Sequence, residues 1–439
     1  MNKIVVSASM VALGAVGLQA AGYAPGYSST DGSKPWSVGL TLSGFYDSNP
    51  FTLPINSHDS KGNPNGISSW GYEVSPYLSG AYSTDQTQFG ARYTFAMNYY
   101  ENYPNNNAQI SQLLNFFVNH RFSQRYSLTL NDNFTYSSDP AVTASTVGGG
   151  SYVYRTTQDN IANAGTINFN AQLTELVSLV LGYANNYINY KEKPADVTTP
   201  TNPLGGGSLS ALLNRVENFL SANLQYQVSA QTMGLLGFQY GYIGYTGNGL
   251  IGYGTTNPNS PTSSYRNSNN YYMYAGGSHT FNPDLSVSLK AGAVYADSYN
   301  AGYNTGFAPY VDMSLNYQYC TSGSAQVGFT QTFAQTWVTA ANASSSQVYV
   351  NVGYDLTTKL RGSVLGRMNY NKFNAPTGPT SVDGQNYYNW MFGVNLTYSI
   401  SRHLSADVGY NFDYLDANVP AFMYDYNRSR VYLGITAKY

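Results

Sequence analysis

The chain has 439 residues, of which only 10% are charged, 20 basic and 22 acidic, for a net charge of −2. Soluble globular domains average about 25% charged residues; here the polarity comes from uncharged groups, with 44 tyrosines and 43 glycines. That balance excludes a basic nucleic-acid binder, the single cysteine excludes a disulfide scaffold, and 15% aromatic content excludes a disordered chain.

Residues 1–21 read as a secretory signal. Lys3 supplies the positive start, Ile4 to Leu18 a short apolar core, and Leu18-Gln19-Ala20 a small residue at the cut, with cleavage expected near Ala20 or Ala21. Beyond it, no apolar run approaches the roughly 20 residues that a membrane helix needs. Residues 22–36 are expected to form a short periplasmic segment, and 37–439 a single transmembrane domain. Cys320 stands alone, so no internal disulfide forms, and a buried apolar setting is expected for it.

The rest of the chain alternates with period 2, the signature of strands. Val38, Leu40, Leu42, Gly44 and Tyr46 share one face, opposite Thr41, Ser43, Phe45 and Asp47. Val348, Val350, Val352 and Tyr354 oppose Gln347, Asn351, Gly353 and Asp355. Leu404, Ala406, Val408, Tyr410, Phe412 and Tyr414 oppose Ser405, Asp407, Gly409, Asn411 and Asp413.

Two kinds of connection separate these strands. Short turns centre on Asp85, Gln124, Glu175, Ala230, Pro283, Ser322, Thr358 and Arg402. Long loops rich in Asn, Gly, Pro, Ser and Thr cover 48–68, 102–109, 138–156, 191–211, 246–265, 299–305, 338–346, 373–385 and 415–427. The two kinds alternate strictly. The pattern therefore predicts about eighteen strands, within a range of 16 to 20, and both termini on the short-turn side. Strand starts fall near Ser37, Ser69, Thr87, Gln109, Tyr126, Thr157, Val177, Leu212, Thr232, Arg266, Leu285, Thr305, Ser324, Gln347, Leu360, Asn386, Leu404 and Arg428.

A soluble sandwich would carry Lys and Glu on its outward faces, and these strands do not. In lipid every backbone group must be paired internally, so an exposed sheet has to close. The expected fold is all-β: a transmembrane antiparallel up-and-down barrel with short periplasmic turns and long extracellular loops. Tyr99-Tyr100, Tyr271-Tyr272 and Tyr387-Tyr388 lie beside long loops, where an interfacial aromatic girdle is expected. The chain ends Tyr432-Leu433-Gly434-Ile435-Thr436-Ala437-Lys438-Tyr439. Tyr432, Gly434, Ala437 and the terminal Tyr439 match the assembly signal of outer-membrane barrels, which implies the barrel-assembly machinery as a partner.

The chain resembles bacterial outer-membrane β-barrels of a porin family often associated with exopolysaccharide gene clusters. The residues that carry this are Gly44-Phe45-Tyr46-Asp47-Ser48-Asn49, the recurring short turns and the closing strand. The family usually has a second Asp where Ser48 stands. The resemblance brings no chemistry with it.

Alternation assigns Asp47, Glu73, Arg92, Arg121, Lys290, Asp312, Asp355, Arg361, Arg367, Asp407, Asp413, Arg430 and Lys438 to the inward face, seven basic and six acidic. Those on the last five strands, with Asp47 across the closure, read either as one charged wall that screens solutes or as paired charges that stabilise the interior. Loops 191–211 and 246–265 are candidate constriction loops. His58, His120, His279 and His403 show no metal spacing, and only His58-Asp59 is an adjacent pair. Gly148-Gly149-Gly150 and Gly205-Gly206-Gly207 lack the Lys-Ser/Thr of a phosphate loop. The sequence thus points to a non-enzymatic outer-membrane channel, without cofactor or metal, passing small hydrophilic solutes. The rival readings are a conduit for exopolysaccharide export and a structural or adhesive surface barrel. Membrane lipid is the expected surround, nucleic acid is not a partner, and a homo-oligomer is compatible.

Overall fold

The computed structural model describes residues 35–53, 68–102, 107–138, 141–142, 154–155, 159–191, 209–247, 262–298, 306–335, 342–374, 384–417 and 425–439. Its strands are β1 (Trp36–Asp47), β2 (Ser69–Ser83), β3 (Thr87–Tyr100), β4 (Ala108–Arg121), β5 (Tyr126–Ser137), β6 (Ala141–Val142), β7 (Tyr154–Arg155), β8 (Asp159–Gln172), β9 (Val177–Lys191) and β10 (Arg215–Gln227). They continue with β11 (Thr232–Tyr245), β12 (Ser268–Asn282), β13 (Leu285–Ser298), β14 (Gly306–Cys320), β15 (Gly323–Ala334), β16 (Asn342–Asp355), β17 (Leu360–Asn374), β18 (Asn386–Ser399), β19 (Leu404–Ala417) and β20 (Tyr426–Lys438). A short helix α1 (Leu209–Leu213) precedes β10, and a 3-10 turn (Ser263–Arg266) precedes β12.

Eighteen of the strands form one antiparallel sheet, each bonded to the next in sequence. The small hairpin β6–β7 stands apart, between β5 and β8. The sheet closes where β20 pairs with β1, from Gly39↔Lys438 to Asp47↔Arg430. The terminal residue completes the seam: Tyr439 N–H donates to Val38 O at 2.8 Å, and Val38 N–H to Tyr439 O at 3.0 Å. Closure leaves no edge, which is what a lipid-exposed sheet requires.

Each expected short turn lies between two paired strands. Some strand starts differ. The segment at Leu212 is helical, and β10 begins only at Arg215. Arg266 ends the 3-10 turn, and β12 begins at Ser268. β16 begins at Asn342, inside the expected loop 338–346, because Ala343 to Ser346 stay in register with β15 and β17. Serines offer no apolar alternation to read, so the pairing decides there. The hairpin β6–β7 inside loop 138–156 was not expected.

Two faces follow from the register. Trp36, Val38, Leu40 and Leu42 on β1 are exposed, as are Leu433 and Ile435 on β20, and this apolar set is the outward face. The other face is concave: Arg430 on β20 donates to Asn98 on β3, reaching past β1 and β2. The tyrosine doublets correct the girdle expectation by half. Adjacent strand residues point to opposite sides, so Tyr100, Tyr272 and Tyr387 are buried on the inward side. Their partners form the outward girdle, with Tyr72–Tyr99 stacked at 5.0 Å and Tyr370–Tyr388 at 4.9 Å.

The abundance of Tyr and Gly has a common steric cause on the inward wall. A Cβ built on Gly328 would lie 2.2 Å from the ring of Tyr349, and one on Gly409 would lie 2.3 Å from the ring of Tyr432. Both are directly opposed pairs in register. The ring lies flat over the glycine of the neighbouring strand, a cross-strand contact worth roughly 0.2–1 kcal/mol, and keeps its bulk against the wall rather than in the lumen.

Among the described residues, outward charges sit near the long-loop ends of strands: Asp159, Lys191, Asp297, Lys372 and Asp416. Asp132 is the exception. It lies mid-strand in β5 between Leu130 and Phe134 on the same face, opposite Phe116 and Gly165. Asn163 Nδ2 donates to both its carboxylate oxygens at 3.1 Å.

Candidate functional site

The inward wall carries the charges, and register fixes where each stands. Asp47 opposes Arg430, Lys290 opposes Asp312, Asp355 opposes Arg361, and Asp407 opposes Gly434. Glu73 opposes Asn98, Arg92 opposes Asn115, Arg121 opposes Ser127, Arg367 opposes Met391, and Asp413 opposes Arg428. The sequence reading passed over Arg428, Arg215 and Glu217, which share this face. Adding them changes the tally from seven basic and six acidic to nine and seven.

The barrel's closing seam holds the densest group. Arg428 Nε donates to both oxygens of Asp47 at 3.0 Å, and its Nη2 donates to Oδ2. Its Nη1 stands 3.8 Å from Asp413 Oδ2. Asp47 is 0% exposed and Arg428 6%, so the fork-to-carboxylate geometry is what makes this burial tolerable. Arg430 lies one rung below. Its Nη2 is 3.5 Å from Glu73 Oε2 and donates to Asn98 Oδ1 at 3.2 Å, while the guanidinium sits 4.0 Å over the Phe45 ring. Phe45 in turn meets Tyr100 edge-on at 5.0 Å.

The run Gly44 to Asn49 therefore has a structural job. Phe45 seats Arg430, Asp47 seats Arg428, and Ser48 Oγ accepts from Ser429 N–H at 2.8 Å. Asn49 then clamps the loop that follows: Nδ2 donates to Leu53 O at 2.9 Å and Asn427 O at 3.1 Å, and Oδ1 accepts from Leu53 N–H at 2.9 Å. That clamp holds Thr52 at a φ of 51°, a left-handed setting that costs a β-branched residue roughly 1–3 kcal/mol.

The charges do not form one continuous wall. Asp47, Asp413, Arg428, Glu73 and Arg430 gather toward the long loops. Asp355 and Arg361 pair at the opposite rim, 3.7 Å apart and half exposed. Lys290 and Asp312 pair at 3.5 Å on β13 and β14. Acid stands beside base in each group, so each field is local.

The β9–β15 side of the wall is different. Phe219, Tyr272, Tyr274, Val294, Ala296, Ala308 and Phe333 form one buried cluster in the long-loop half. Tyr310 closes on it, 5.5 Å from Tyr272 and 5.2 Å from Tyr274. Above it, α1 turns inward, with Ala211, Leu212 and Leu213 fully buried. Two arginines hold its last carbonyls: Arg266 Nη1 donates to Leu212 O at 2.7 Å, and Arg215 Nη1 to Leu213 O at 3.1 Å. Arg215 Nε also donates to Glu217 Oε1 at 2.7 Å. Arg266 lies 4.3 Å over the Tyr245 ring, and Tyr245 OH donates to Gln335 Oε1 at 2.8 Å, linking the end of β11 to the end of β15. The described ends of both candidate constriction loops thus fold inward, and the remainder of those loops lies outside the described residues.

Depth along the lumen matters as much as position around it. In the long-loop half most inward side chains are buried. In the short-turn half Asn316, Gln326, Asn351, Asn395 and Asn411 keep solvent exposure. The inward wall is solvent-exposed on the short-turn side, the vestibule, and buried on the long-loop side, the throat.

Other candidates have structural settings. His120 and His279 occupy matching places at strand ends, each Nδ1 2.8 Å from a threonine hydroxyl (Thr87 and Thr232) and each ring edge-on to a phenylalanine. His403 Nδ1 lies 3.2 Å from Lys438 O. His58 and Asp59 and both triple-glycine runs lie outside the described residues. Among the described residues no three His, Cys, Asp or Glu side chains gather as metal ligands. Cys320 is half-buried at a short turn, its Sγ 3.5 Å from Ser322 Oγ, rather than buried in an apolar core. Of the assembly-signal residues, Tyr432 and Gly434 face inward, while Ala437 and Tyr439 face outward, with Tyr439 6.0 Å from Trp36. Gly434 leaves room for Asp407, whose carboxylate oxygens would lie 2.9–3.0 Å from a Cβ there.

Residues 254–439 match the model of the family described as Putative beta-barrel porin 2. The matched segment spans β12 to β20, and the chain as a whole is a closed antiparallel β-barrel. No curated protein matches its sequence. Among solved structures, the barrel is similar to Acinetobacter baumannii OccAB4, at 11% identity and a TM-score of 0.42, over 93% of this chain and 99% of that one. It is similar to the outer membrane protein opdK of Pseudomonas aeruginosa, at 12% identity and 0.42, over 92% and 99%. A mutant of the ferric enterobactin receptor PfeA, also from Pseudomonas aeruginosa, matches at 10% identity and 0.43, over 92% and 80%. Likeness at that distance adds nothing to what the chain's own topology says. A closed barrel with an apolar outer face implies an integral outer-membrane location.

Proposed function

We propose that this porin-like barrel is an outer-membrane channel through which small hydrophilic solutes diffuse passively. The observation that carries the reading is the polar, solvent-exposed inward wall of the short-turn half inside a closed eighteen-strand sheet. Barrels of 16–18 strands are wide enough for an aqueous path. Inward charges such as Arg92, Arg121, Arg367, Asp407 and Lys438 would meet solute in the vestibule, and the seam group would border the throat. The reading involves no catalytic step. Residues 1–21 act as an export leader, and the last strand, through Tyr432, Gly434, Ala437 and Tyr439, is the part the assembly machinery would engage.

Liposomes containing the full chain should swell in isotonic arabinose, faster as the protein-to-lipid ratio rises. Liposomes that carry folded barrel and stay tight to arabinose would contradict the proposal. Over the whole described inward wall basic and acidic charge are close to balanced, nine to seven, which is not the strongly basic path an acidic polymer needs, so the export reading is not carried forward.

A further inference from the structure

The outward face holds one region unsuited to hydrocarbon. Across β5, β8, β9 and β10 the directly opposed outward residues run Asp132↔Gly165↔Asn185↔Asn218. Asn163 stands next to Gly165 on the same face of β8, toward the long loops. The rung climbs from the middle of β5 at Asp132 to near the long-loop end of β10 at Asn218. Asp132 and Asn185 lie deeper than Tyr136 and Tyr187, the outward tyrosines of the same strands, and such rings mark the level of the headgroups. On β18 and β19, across the barrel, the outward pairs at similar depth are Phe392↔Phe412 and Val394↔Tyr410.

Internal bonds meet only part of this demand. Asn163 Nδ2 donates to both Asp132 oxygens at 3.1 Å. Asn185 Nδ2 and Tyr183 OH donate to Asn218 Oδ1, at 2.9 and 2.8 Å. Among the described residues the Asn218 amide N–H groups and the Asn163 and Asn185 carbonyl oxygens have no partner, and Asp132 accepts from one neutral amide alone. Asp132, Asn163, Asn185 and Asn218 are all partly exposed, so the patch is open to a neighbour. Hydrocarbon supplies no donor or acceptor, and a carboxylate at this depth is costly.

We infer that this face of β5 to β10 is an interface with a second copy of the barrel, related by a two-fold axis along the membrane normal at β8. Copies inserted in one membrane share an orientation, so each side chain meets its partner's wall close to its own depth. The axis turns the two sides of the patch onto each other: Asp132, one strand to one side, comes to Asn185, one strand to the other. Acceptor meets amide donor, and by symmetry does so twice. The two Asp132 carboxylates stand two strand spacings, about 10 Å, apart, so like charges do not meet. Gly165 lies on the axis and has no Cβ. Where one would stand, only the Asp132 carboxylate is near, at 3.0 Å, which leaves room for the two walls to approach.

The interface stands whether or not the barrel conducts. The test places one labelling site in a short turn of the full chain, with Cys320→Ser removing the native thiol. Glu175→Cys lies in the β8–β9 turn beside the axis, and Thr358→Cys lies in the β16–β17 turn on the far side; both turns are exposed. Donor-labelled and acceptor-labelled barrels are mixed in phospholipid vesicles, and energy transfer is read as the barrels are diluted with lipid. Transfer at Glu175→Cys should exceed that at Thr358→Cys by about fivefold or more. In the double variant Asp132→Leu, Asn185→Leu the dissociation constant in the membrane should rise about tenfold or more, the yield of one charge-assisted hydrogen bond, while circular dichroism shows the barrel intact. Asn185→Leu alone should act in the same direction and serves where the double variant does not assemble. Absence of transfer at Glu175→Cys would overturn the second copy as the occupant of this face. Equal transfer at the two turns, or a dissociation constant that both variants leave unchanged, would overturn it as well.

Discussion

Arg428 bonds Asp47 across the closing seam and approaches Asp413, so removing it takes the forked cation away from a fully buried carboxylate. Arg428→Met should cost about 3–5 kcal/mol, read by urea unfolding of the barrel in lipid vesicles. Arg428→Lys keeps the charge but loses the fork, and should fall between that variant and wild type. Gly328 is the steric counterpart. Gly328→Val should cost about 1–3 kcal/mol by driving a side chain into the Tyr349 ring. Tyr349→Ala in the same chain should recover part of that loss, which a double-mutant cycle would register. Alternation alone gave the inward face of Asp47, Glu73 and Arg430. It could have given Arg428 too, since Arg428, Arg430 and Tyr432 share parity, but taking Arg428 as the strand's first residue hid it. The pairing with Asp47, 381 residues away, has no local sequence signal.

At the level of elements, the starts of strands with clean alternation, β2, β3, β5, β9, β11, β13, β17, β18 and β19, were legible to the residue, while β10 and β16 began three and five residues away from the expected place. Short segments were not legible in this way. Leu209–Leu213 is a segment of five, apolar except for Ser210, and period cannot separate a single helical turn from a strand start at that length. What makes it helical and inward is tertiary, the capture of its carbonyls by Arg266 and Arg215. Releasing one clamp with Arg266→Ala should loosen α1 and raise single-channel conductance by about 1.5-fold to twofold, since the throat's width sets the current. β5 offers the opposite case, an element whose outward face breaks its own rule at Asp132. A carboxylate facing hydrocarbon is costly even with Asn163 beside it. Asp132→Leu should therefore stabilise the folded barrel by about 1–2 kcal/mol in lipid vesicles. An unchanged or lowered stability would mean that the outward carboxylate is compensated by contacts beyond Asn163.

The whole molecule explains the chain's low charge. Its outer face is close to neutral, and its inner charges are few and largely set acid beside base. The remaining polarity belongs to Asn, Gln, Ser, Thr and Tyr on the inward wall. Closure, strand order and face were readable from period 2 and turn spacing, because a lipid-exposed sheet has few other solutions. The division of the lumen into an aromatic side, an amide side and a charged seam was not, because it depends on which strands become neighbours around the ring and on the depth of each rung. The vestibule charges, Arg92, Arg121, Arg367 and Lys438 against Asp407, predict a modest preference for anions. Planar-bilayer recording of the full chain is the most direct test. The structure predicts discrete current steps with a modest preference for anions. Folded protein that inserts and produces no steps above the bare bilayer would contradict it.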